Sequence, residues 1–353
     1  MALGISDIIV QATEEFPRNS EGDLVVLKDG RLLYSWARKR GEEDTAQGCI
    51  VGITSADGGV TWDREPMIIR PTWDAVADVM CVSFCRTPRG LHLFFMGRLA
   101  NPPSGNLYSG CNRVFQIISE DEGRTWSPPL AISTRFAYTI LNNARVIRTT
   151  SGRLIVPVAS VPGHIFEFYH EQRVYCLYSD DDGRSWTESN ELAIIGTGLM
   201  EPGVAECRDG TIYMTIRTKT GFLYEARSHD GAYWHSLKQT SLASAEAPAT
   251  TVRAPNTGDL WILWCNTPFT GNWYDRNDIA LAISKDNGTT WSQPITVEHD
   301  PNRGFAYISA MFHDGSLWLT YYDWPFERSA ENLKMFHMTS SRLRKIPLCD
   351  LTL

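Results

Sequence analysis

The feature that most constrains the fold is a short motif that occurs five times along the chain. Each copy starts at Ser, has Asp two residues later, then Gly, and ends in Trp: SADGGVTW at Ser55–Trp62, SEDEGRTW at Ser119–Trp126, SDDDGRSW at Ser179–Trp186, SHDGAYW at Ser228–Trp234 and SKDNGTTW at Ser284–Trp291. The Asp can close a turn by accepting backbone N–H groups, the Gly relaxes a backbone where φ is positive, and the Trp can cover the turn. Such a repeat predicts a repeated supersecondary unit.

A second recurring signal predicts hairpins. In six places a tight turn containing Gly separates two apolar, strand-like runs: Asp29-Gly30, Arg89-Gly90, Ser151-Gly152, Asp209-Gly210, Thr257-Gly258 and Asp314-Gly315. Five of these hairpins are followed by an Asp turn, so each unit holds about four short strands. We therefore predict an all-β fold, a six-bladed β-propeller with four antiparallel strands per blade, in one domain over residues 1–353. A sandwich or a β-helix is the rival all-β interpretation.

The last unit lacks an Asp turn, and we expect the N-terminal run Ile5–Ala12 to supply its outer strand and close the ring. The chain has 353 residues, of which 43% are hydrophobic and 21% charged, and it can bury a large core. A net charge of −8 and a longest basic run of only three residues, Arg38 to Arg40, argue against a nucleic-acid partner. No apolar run is long enough to cross a membrane.

Cysteine and N-terminal patterns add three expectations. Without a CxxC or another metal-ligand spacing, the cysteines predict no metal site. Cysteines in or beside apolar runs are expected as small buried hydrophobes: Cys49, Cys85, Cys176 and Cys207. The stretch from Met1 to Phe16 lacks the basic start and apolar core of a signal peptide, which leaves the compartment open between the cytoplasm and secretion after removal of a leader.

The hairpin geometry predicts one functional rim. Residues equally distant from a hairpin turn lie at the same end, so counting from each Gly gathers the starts of the inner strands and the ends of the second strands. The rim collects three arginines, two carboxylates, two asparagines and a tyrosine, and nearby loops add further polar groups: Arg38, Arg98, Arg217, Glu21, Glu201, Asn142, Asn143 and Tyr307, with Asp44, His164 and Arg276 from loops.

This collection predicts chemistry on an anionic ligand. Clustered arginines match carboxylate oxygens in pairs. A carboxylate at Glu201 that contacts the phenol of Tyr307 can take its proton and make it a nucleophile. A neutral nucleophile avoids repulsion at a carbon that already bears a carboxylate. Asp44, on a polar loop, can protonate a leaving oxygen. Taken singly, Tyr307 is as well explained by packing and Asp44 by an ordinary loop position.

The same segments resemble the sialidase (neuraminidase) superfamily, whose six-bladed propellers carry these turns as Asp boxes. The similarity spans nearly the whole chain. The family segment with the catalytic Glu and a triad Arg resembles GLMEPGVAECRDGTIYMTIR, and the segment in which an Arg is followed by the acid/base Asp resembles WARKRGEED. The segment with the last triad Arg resembles DRNDIALAISKDNGTTW, and the nucleophile segment resembles GFAYISAMFHDGSLWLTYY. These matches fall on Glu201 with Arg217, Arg38 with Asp44, Arg276, and Tyr307.

One departure concerns the start of the chain. The family opens with an Arg-Ile-Pro motif whose Arg is the first of the triad, whereas counting back from Gly30 puts Ser20 at that place, with Glu21 beside it. Arg18 and Arg98 are the candidates to replace the missing arginine. An acid at Glu21 would repel an anionic substrate unless it contacts hydroxyl groups or an arginine.

The resemblance implies a retaining exo-glycosidase that releases a terminal acidic sugar, sialic acid or a related keto-sugar acid, from glycans. Tyr307 would be the nucleophile, Glu201 its activator and Asp44 the acid/base, and the reaction would require no metal or organic cofactor. The expected substrate-binding set is Arg38, Arg217, Arg276, Arg98, Arg18, Glu21 and Asn143. Two alternatives stay open: a glycosidase or polysaccharide lyase for a uronate-type sugar, with Glu21, Asn143 or His164 active, and a non-catalytic glycan-binding propeller.

Overall fold

The structure is a computed structural model that describes residues 3–101, 105, 108, 112–135, 137–268, 276–326 and 337–351. Within these ranges the chain forms 25 strands and two 3-10 helices of three residues, Tyr169–Glu171 and Leu348–Asp350. In the part of the chain that the structure describes, no helix has the length and apolarity that a membrane span requires. The all-β prediction is confirmed.

The chain starts with β1 (Ile5–Val10) and then forms a four-stranded antiparallel sheet in chain order: β2 (Arg18–Val26), β3 (Leu32–Lys39), β4 (Gly48–Ser55) and β5 (Met67–Arg70). A nine-stranded sheet follows: β6 (Val76–Thr87), β7 (Gly90–Leu99), β8 (Asn112–Ser119), β9 (Leu130–Ala131), β10 (Tyr138–Leu141), β11 (Ile147–Arg148), β12 (Leu154–Val161), β13 (Arg173–Ser179) and β14 (Thr187–Glu188). Its two halves meet through a single parallel pair, Tyr138 with Asn112, while the other pairings are antiparallel.

Two more four-stranded antiparallel sheets come next in chain order. One contains β15 (Met200–Glu206), β16 (Ile212–Arg217), β17 (Phe222–Ser228) and β18 (Trp234–Ala243), and the other β19 (Thr250–Arg253), β20 (Leu260–Trp264), β21 (Asp278–Ser284) and β22 (Ile295–His299). The last sheet contains β23 (Arg303–His313), β24 (Ser316–Pro325) and β25 (Ser340–Pro347), and β1 pairs with β25 as its fourth strand. The expected role of the N-terminal strand in the last unit is confirmed.

The six predicted hairpins are present. They are β2–β3, β6–β7, β11–β12, β15–β16, β19–β20 and β23–β24. The Gly of each predicted turn has a positive φ, from 63° at Gly315 to 140° at Gly90. These turns set the register that brings the starts of the inner strands to a common end.

The Asp motifs form turns between the third and fourth strands of their units. In the third copy, Asp181 accepts hydrogen bonds from the backbone N–H groups of Arg184 and Ser185, both at 2.9 Å, and from the Ser185 hydroxyl at 2.6 Å. The backbone N–H of Gly183 donates to Ser179 Oγ at 2.9 Å. The fourth copy is one residue shorter, and its Trp234 is fully buried. The carboxylates therefore close these turns as predicted.

The hydrophobic core lies between neighbouring sheets. One cluster joins Ile155 and Val174 of the nine-stranded sheet to Val204 and Met214 of the next sheet. Each fully buried aliphatic side chain contributes about 1.5–3 kcal/mol. Of the cysteines expected inside, Cys85, Cys176 and Cys207 are buried and Cys49 is half-buried. Because the sheets pack through their faces, the ends of the inner strands remain available for a site.

Candidate active site

Four inner strands carry the same backbone irregularity at their starts. The pairing register shifts in β2, β6, β15 and β23, and a non-glycine residue at each shift has a positive φ: Glu21 (54°), Cys81 (66°), Glu201 (47°) and Tyr307 (58°). A bulge re-aims a side chain, and an unfavourable backbone of this kind costs about 1–3 kcal/mol per residue. All four residues border one cavity. The four residues with strained backbone therefore direct their side chains toward the same cavity.

The cavity combines charged groups of both signs. The charged residues that border it are Glu21, Asp44, Glu201, Arg98, Arg217 and Arg276. The cavity therefore offers guanidinium groups to an anionic group of a ligand and carboxyl groups to its hydrogen-bond donors. Among the residues that the structure describes, no group of three or more His, Cys, Asp or Glu could hold a metal ion.

The structure brings the phenol of Tyr307 into contact with Glu201. Tyr307 Oη donates to Glu201 Oε1 at 3.2 Å, and Arg217 Nη1 donates to Glu201 Oε2 at 2.5 Å. The exposed fractions of Tyr307 and Glu201 are 8% and 7%. One carboxylate oxygen thus faces the cation and the other faces the phenol, so the acceptor for the phenol proton is fixed in place.

The phenol is neutral in the unliganded protein. Burial, followed by the negative charge of Glu201, raises the pKa of Tyr307 well above its usual range. Arg276, whose guanidinium lies 5.8 Å from the centre of the Tyr307 ring, acts in the opposite direction. Tyr307 therefore becomes nucleophilic only as its proton leaves for the carboxylate.

Asp44 lies at the edge of the cavity in an ion pair. Its Oδ1 is 2.6 Å from Arg18 Nη1, and its side chain is 47% exposed. Its backbone carbonyl accepts from Lys39 Nζ at 2.8 Å, and Lys39 is itself paired with Asp78 at 2.6 Å with both side chains fully buried. Burial would raise the pKa of Asp44, but Arg18 and then Lys39 and Arg98 outweigh it and lower that pKa to about 2. Asp44 is thus ionised before a ligand binds.

Glu21 occupies the position of the first inner strand that corresponds to Glu201 and Tyr307. It is 3% exposed, and its Oε2 accepts a hydrogen bond from Cys81 Sγ at 2.9 Å. Burial raises the pKa of Glu21 to about 7, against the opposing effects of Arg18 and of the Cys81 hydrogen bond. Beside the place where the family has the first triad arginine, this chain therefore has a carboxyl group on the cavity wall.

Two of the predicted arginines border the cavity beside Arg217. Arg98 Nη1 donates to Tyr138 Oη at 3.1 Å, and Arg276 Nη2 donates to the backbone carbonyl of Glu246 at 2.5 Å. Both arginines are 1% exposed as residues. With Arg217, they are the cationic side chains that border the cavity among the described residues.

Arg18 and Asn143 stand behind the cavity wall. Arg18 is 2% exposed and reaches the site through its ion pair with Asp44. Asn143 Nδ2 donates to the backbone carbonyls of Gly22 at 2.8 Å and of Tyr307 at 3.0 Å. These two residues therefore hold neighbouring groups in position, one by charge and one by joining two inner strands.

The structure does not bring Arg38 to this cavity. Its guanidinium lies 4.1 Å from the centre of the Phe16 ring, in a separate groove that also borders Trp36. The adjacent Lys39 faces the cavity side instead. Successive side chains of a strand point to opposite faces, and counting from a turn fixes the end of the strand but not the face. The expected contact between Arg38 and a substrate anion has no support in this placement.

Sequence reasoning missed Glu246. This carboxylate is 3% exposed, lies 3.3 Å from Arg217 Nη2, and accepts a hydrogen bond from the Tyr169 hydroxyl. The available signal was an acid in the small-residue run SAEAPA, residues 244–249. A charge in such surroundings needs a partner, which is the argument that singled out Glu201.

Comparison with protein families identifies the class of the protein. The family model described as a BNR repeat-like domain matches residues 82–319, about two thirds of the chain. The chain belongs to this family, within the sialidase superfamily.

Curated relatives are distant sialidases. Sialidase-2 of Mus musculus is 22% identical over 310 residues, which cover 77% of this chain and 79% of that protein. A sialidase of Bacteroides fragilis is 25% identical over 321 residues, which cover 81% of this chain and 56% of that protein. The chain thus spans most of the mouse relative and little more than half of the bacterial one.

Solved structures share the fold. The NanB sialidase of Streptococcus pneumoniae matches with a TM-score of 0.75 at 14% identity, over 98% of this chain and 71% of that chain. A protein of unknown function from Dyadobacter fermentans matches with a TM-score of 0.74 at 18% identity, over 97% and 98% of the two chains. The all-β architecture is therefore the one found in sialidases.

Proposed function

We propose that residues 1–353 form one domain, a six-bladed β-propeller with four antiparallel strands per blade. The contacts between inner strands support this count. β2 contacts β6 and β23, β6 contacts β11, β10 contacts β15, β15 contacts β19, and β19 contacts β23. The nine-stranded sheet then represents two blades joined by their single parallel pair.

We further propose that the protein is a retaining exo-glycosidase that releases a terminal acidic sugar from a glycan. The observation that carries this proposal is the contact of Tyr307 Oη with a carboxylate, Glu201, whose other oxygen is bound by Arg217. A buried phenol beside a fixed proton acceptor is suited to nucleophilic attack. The sialidase relatives support the same reaction class.

In the first step, Tyr307 Oη forms a bond to the anomeric carbon while the bond from that carbon to the leaving oxygen breaks. The phenol proton passes to Glu201, and the leaving oxygen takes a proton from Asp44. In the second step, water attacks the same carbon, gives a proton to Asp44, and displaces the phenol oxygen, which recovers its proton from Glu201. Two successive inversions retain the configuration of the sugar.

The acid role of Asp44 requires a change on binding. Its ion pair with Arg18 keeps it ionised in the unliganded protein. A leaving group that seats between the two side chains would weaken this pair and raise the pKa of Asp44. The half-exposed position of Asp44 leaves room for that contact.

The arginines support an acidic substrate. Arg98, Arg217 and Arg276 border the cavity, and guanidinium groups bind carboxylates in pairs. A sialic acid or related keto-sugar acid is one class of such sugars. A specific observation favours the second class, a uronate-type sugar processed by a glycosidase or a lyase: Glu21 borders the same cavity.

The test of the reaction uses fluorogenic methylumbelliferyl sialosides and uronides. We expect Tyr307→Phe to lower kcat/KM by at least about 1,000-fold on whichever substrate is hydrolysed, with sugar binding retained by calorimetry. Tyr178→Phe is the matched control, because Tyr178 packs against Arg153 away from the cavity. Unchanged turnover by Tyr307→Phe would remove the nucleophile. Binding without turnover by the wild-type protein would identify a glycan-binding propeller instead.

A further inference from the structure

The cavity wall holds a buried carboxyl group, Glu21, that the proposed reaction does not use. Glu21 lies on a bulge of β2, as Tyr307 does on β23, and is 3% exposed. Among the described residues, the thiol of Cys81 is the one side chain that donates a hydrogen bond to it. A carboxylate has about four acceptor positions, and a thiol is a weak donor. Glu21 therefore keeps acceptor capacity at the cavity.

Charged side chains reach the cavity from several sheets. Glu21 lies on β2 and Asp44 in the loop between β3 and β4, while Arg217 lies on β16 beside Glu201 of β15, and Arg276 is two residues before β21. Tyr307 lies on β23, which contacts both β2 and β19. The strand that carries Tyr307 thus lies between the strand of Glu21 and the sheet of β21, the strand that Arg276 precedes, while Arg217 borders the same cavity together with Glu201.

Glu21 is close to the place where the reacting carbon must sit. Asn143 Nδ2 joins the carbonyl of Gly22, the residue after Glu21, to the carbonyl of Tyr307. Glu21 and Tyr307 border the same cavity from these two neighbouring strands. A carboxylate on a carbon bound by Tyr307 Oη would lie beside the carboxyl group of Glu21, and above about pH 7, where Glu21 is ionised, the two like charges oppose binding.

We propose that Glu21 accepts hydrogen bonds from ring hydroxyl groups of the substrate, and that the pocket takes a uronate-type glycoside. In such a sugar the reacting carbon bears no carboxylate, and the acid group at another ring position contacts Arg217 and Arg276. This inference rests on the proposed glycosidase reaction. The phenol nucleophile suits this substrate as well, because the transfer of its proton to Glu201 does not depend on a substrate charge.

The first experiment compares substrates. Methylumbelliferyl glucuronides and galacturonides of both anomers are assayed beside methylumbelliferyl N-acetylneuraminide. At about pH 8, where Glu21 is ionised, we expect at least one uronide to have a kcat/KM at least about tenfold above that of the sialoside, since a buried like-charge contact opposes the latter. A sialoside that is the better substrate would overturn the inference.

The second experiment assigns the role of Glu21. Glu21→Gln keeps the shape but removes the charge, so we expect KM for the preferred uronide to rise about 10- to 100-fold with a much smaller change in kcat. A deoxy uronide that lacks the contacting hydroxyl should lose the same factor with the wild-type protein and little with Glu21→Gln. Glu206→Gln is the control, because Glu206 is also buried on an inner strand but bonds to Thr150. An unchanged KM for Glu21→Gln, or a loss confined to kcat, would refute the binding role.

A third measurement separates this inference from the reaction on which it rests. If the wild-type protein hydrolyses none of these glycosides, the proposed reaction fails. Binding of free glucuronic, galacturonic and N-acetylneuraminic acids to Tyr307→Phe, measured by calorimetry, then decides the substrate class alone. Tighter binding of a uronic acid that Glu21→Gln in the same background weakens supports the inference. Equal binding of all three acids, or none, overturns it.

Discussion

Burial and one ion pair shift the pKa values of two carboxyl groups in the same cavity in opposite directions. Glu21 is 3% exposed, and burial raises its pKa to about 7. Asp44 is partly exposed, and although burial would raise its pKa, Arg18 lowers it to about 2. Environments that push two pKa values apart are typical of acid-base sites. Between these values, Asp44 is ionised and Glu21 protonated in the unliganded protein, and hydroxyl donors from a bound sugar would favour ionisation of Glu21.

The raised pKa of Glu21 predicts how stability depends on pH. The carboxyl is protonated in both states below its ordinary value of 4.5, and between 4.5 and about 7 only the unfolded chain releases the proton. The free energy of unfolding therefore falls as pH rises through this window, by about 3 kcal/mol in total. Asp23, whose pKa burial raises to about 6, adds a loss of the same sign. Glu21→Gln removes only the first contribution.

Urea unfolding at about pH 5 and about pH 8 measures this difference. We expect the loss of unfolding free energy between these pH values to be smaller in Glu21→Gln than in the wild-type protein by about 2 kcal/mol. The contribution of Asp23 is present in both proteins and cancels. Equal losses in the two proteins would show that Glu21 titrates near its ordinary pKa when folded.

Counting residues from the hairpin turns predicted which side chains lie at the same end of the sheets. It did not predict which face of its strand each side chain occupies. Glu201 and Tyr307 were predicted at equivalent rim positions, and they are in contact. Arg38 was predicted by the same count, yet its neighbour Lys39 takes the inward face. Counting from a turn does not fix the face, and on the inner strands the face also depends on bulges that add a residue and that no local sequence rule marks. A prediction from the sialidase-like segments alone would also have placed Arg38 in the site.

At the scale of strands and turns, the carboxylate of each Asp motif closes its turn through local hydrogen bonds. Asp181 joins Ser179, Arg184 and Ser185 through one carboxylate. These contacts are confined to seven residues, so they can be read directly from the sequence. The bulges of the inner strands, in contrast, depend on neighbouring sheets and were not predicted.

Removal of the Asp181 carboxylate should lower the free energy of unfolding more than removal of an adjacent surface charge. Asp181→Ala deletes hydrogen bonds to two backbone donors and is expected to lower the free energy of unfolding by about 2 kcal/mol. Asp180→Ala, the matched control, deletes a surface ion pair with Arg153 and should cost less than about 1 kcal/mol. Urea unfolding of the two variants makes the comparison. Equal costs would mean that the turn forms without its carboxylate.

At the scale of the whole molecule, the two ends of the chain meet in one sheet. β1 pairs with β25 in an antiparallel ladder that runs from Ile5–Lys345 to Val10–Ser341. In the proposed six-bladed ring, this pairing completes the blade that carries Tyr307 on β23. The sequence predicted this closure, because the last unit lacked an outer strand. The catalytic proposal thus depends on a strand more than 290 residues earlier in the chain.

Loss of β1 should therefore weaken the whole domain. A variant that lacks residues 1–10 exposes the backbone edge of β25, and such an edge invites pairing with another chain. We expect its Tm to fall by about 5 °C or more and its apparent mass in light scattering to rise with protein concentration. A variant that lacks only residues 1–2 keeps Leu3, whose backbone carbonyl accepts from Arg344, and all of Ile5–Val10, and it serves as the control. If the shorter chain melted at the same temperature and stayed monodisperse, β25 would not need its partner, and closure through the N-terminal strand would be dispensable for holding β23 and its nucleophile in place.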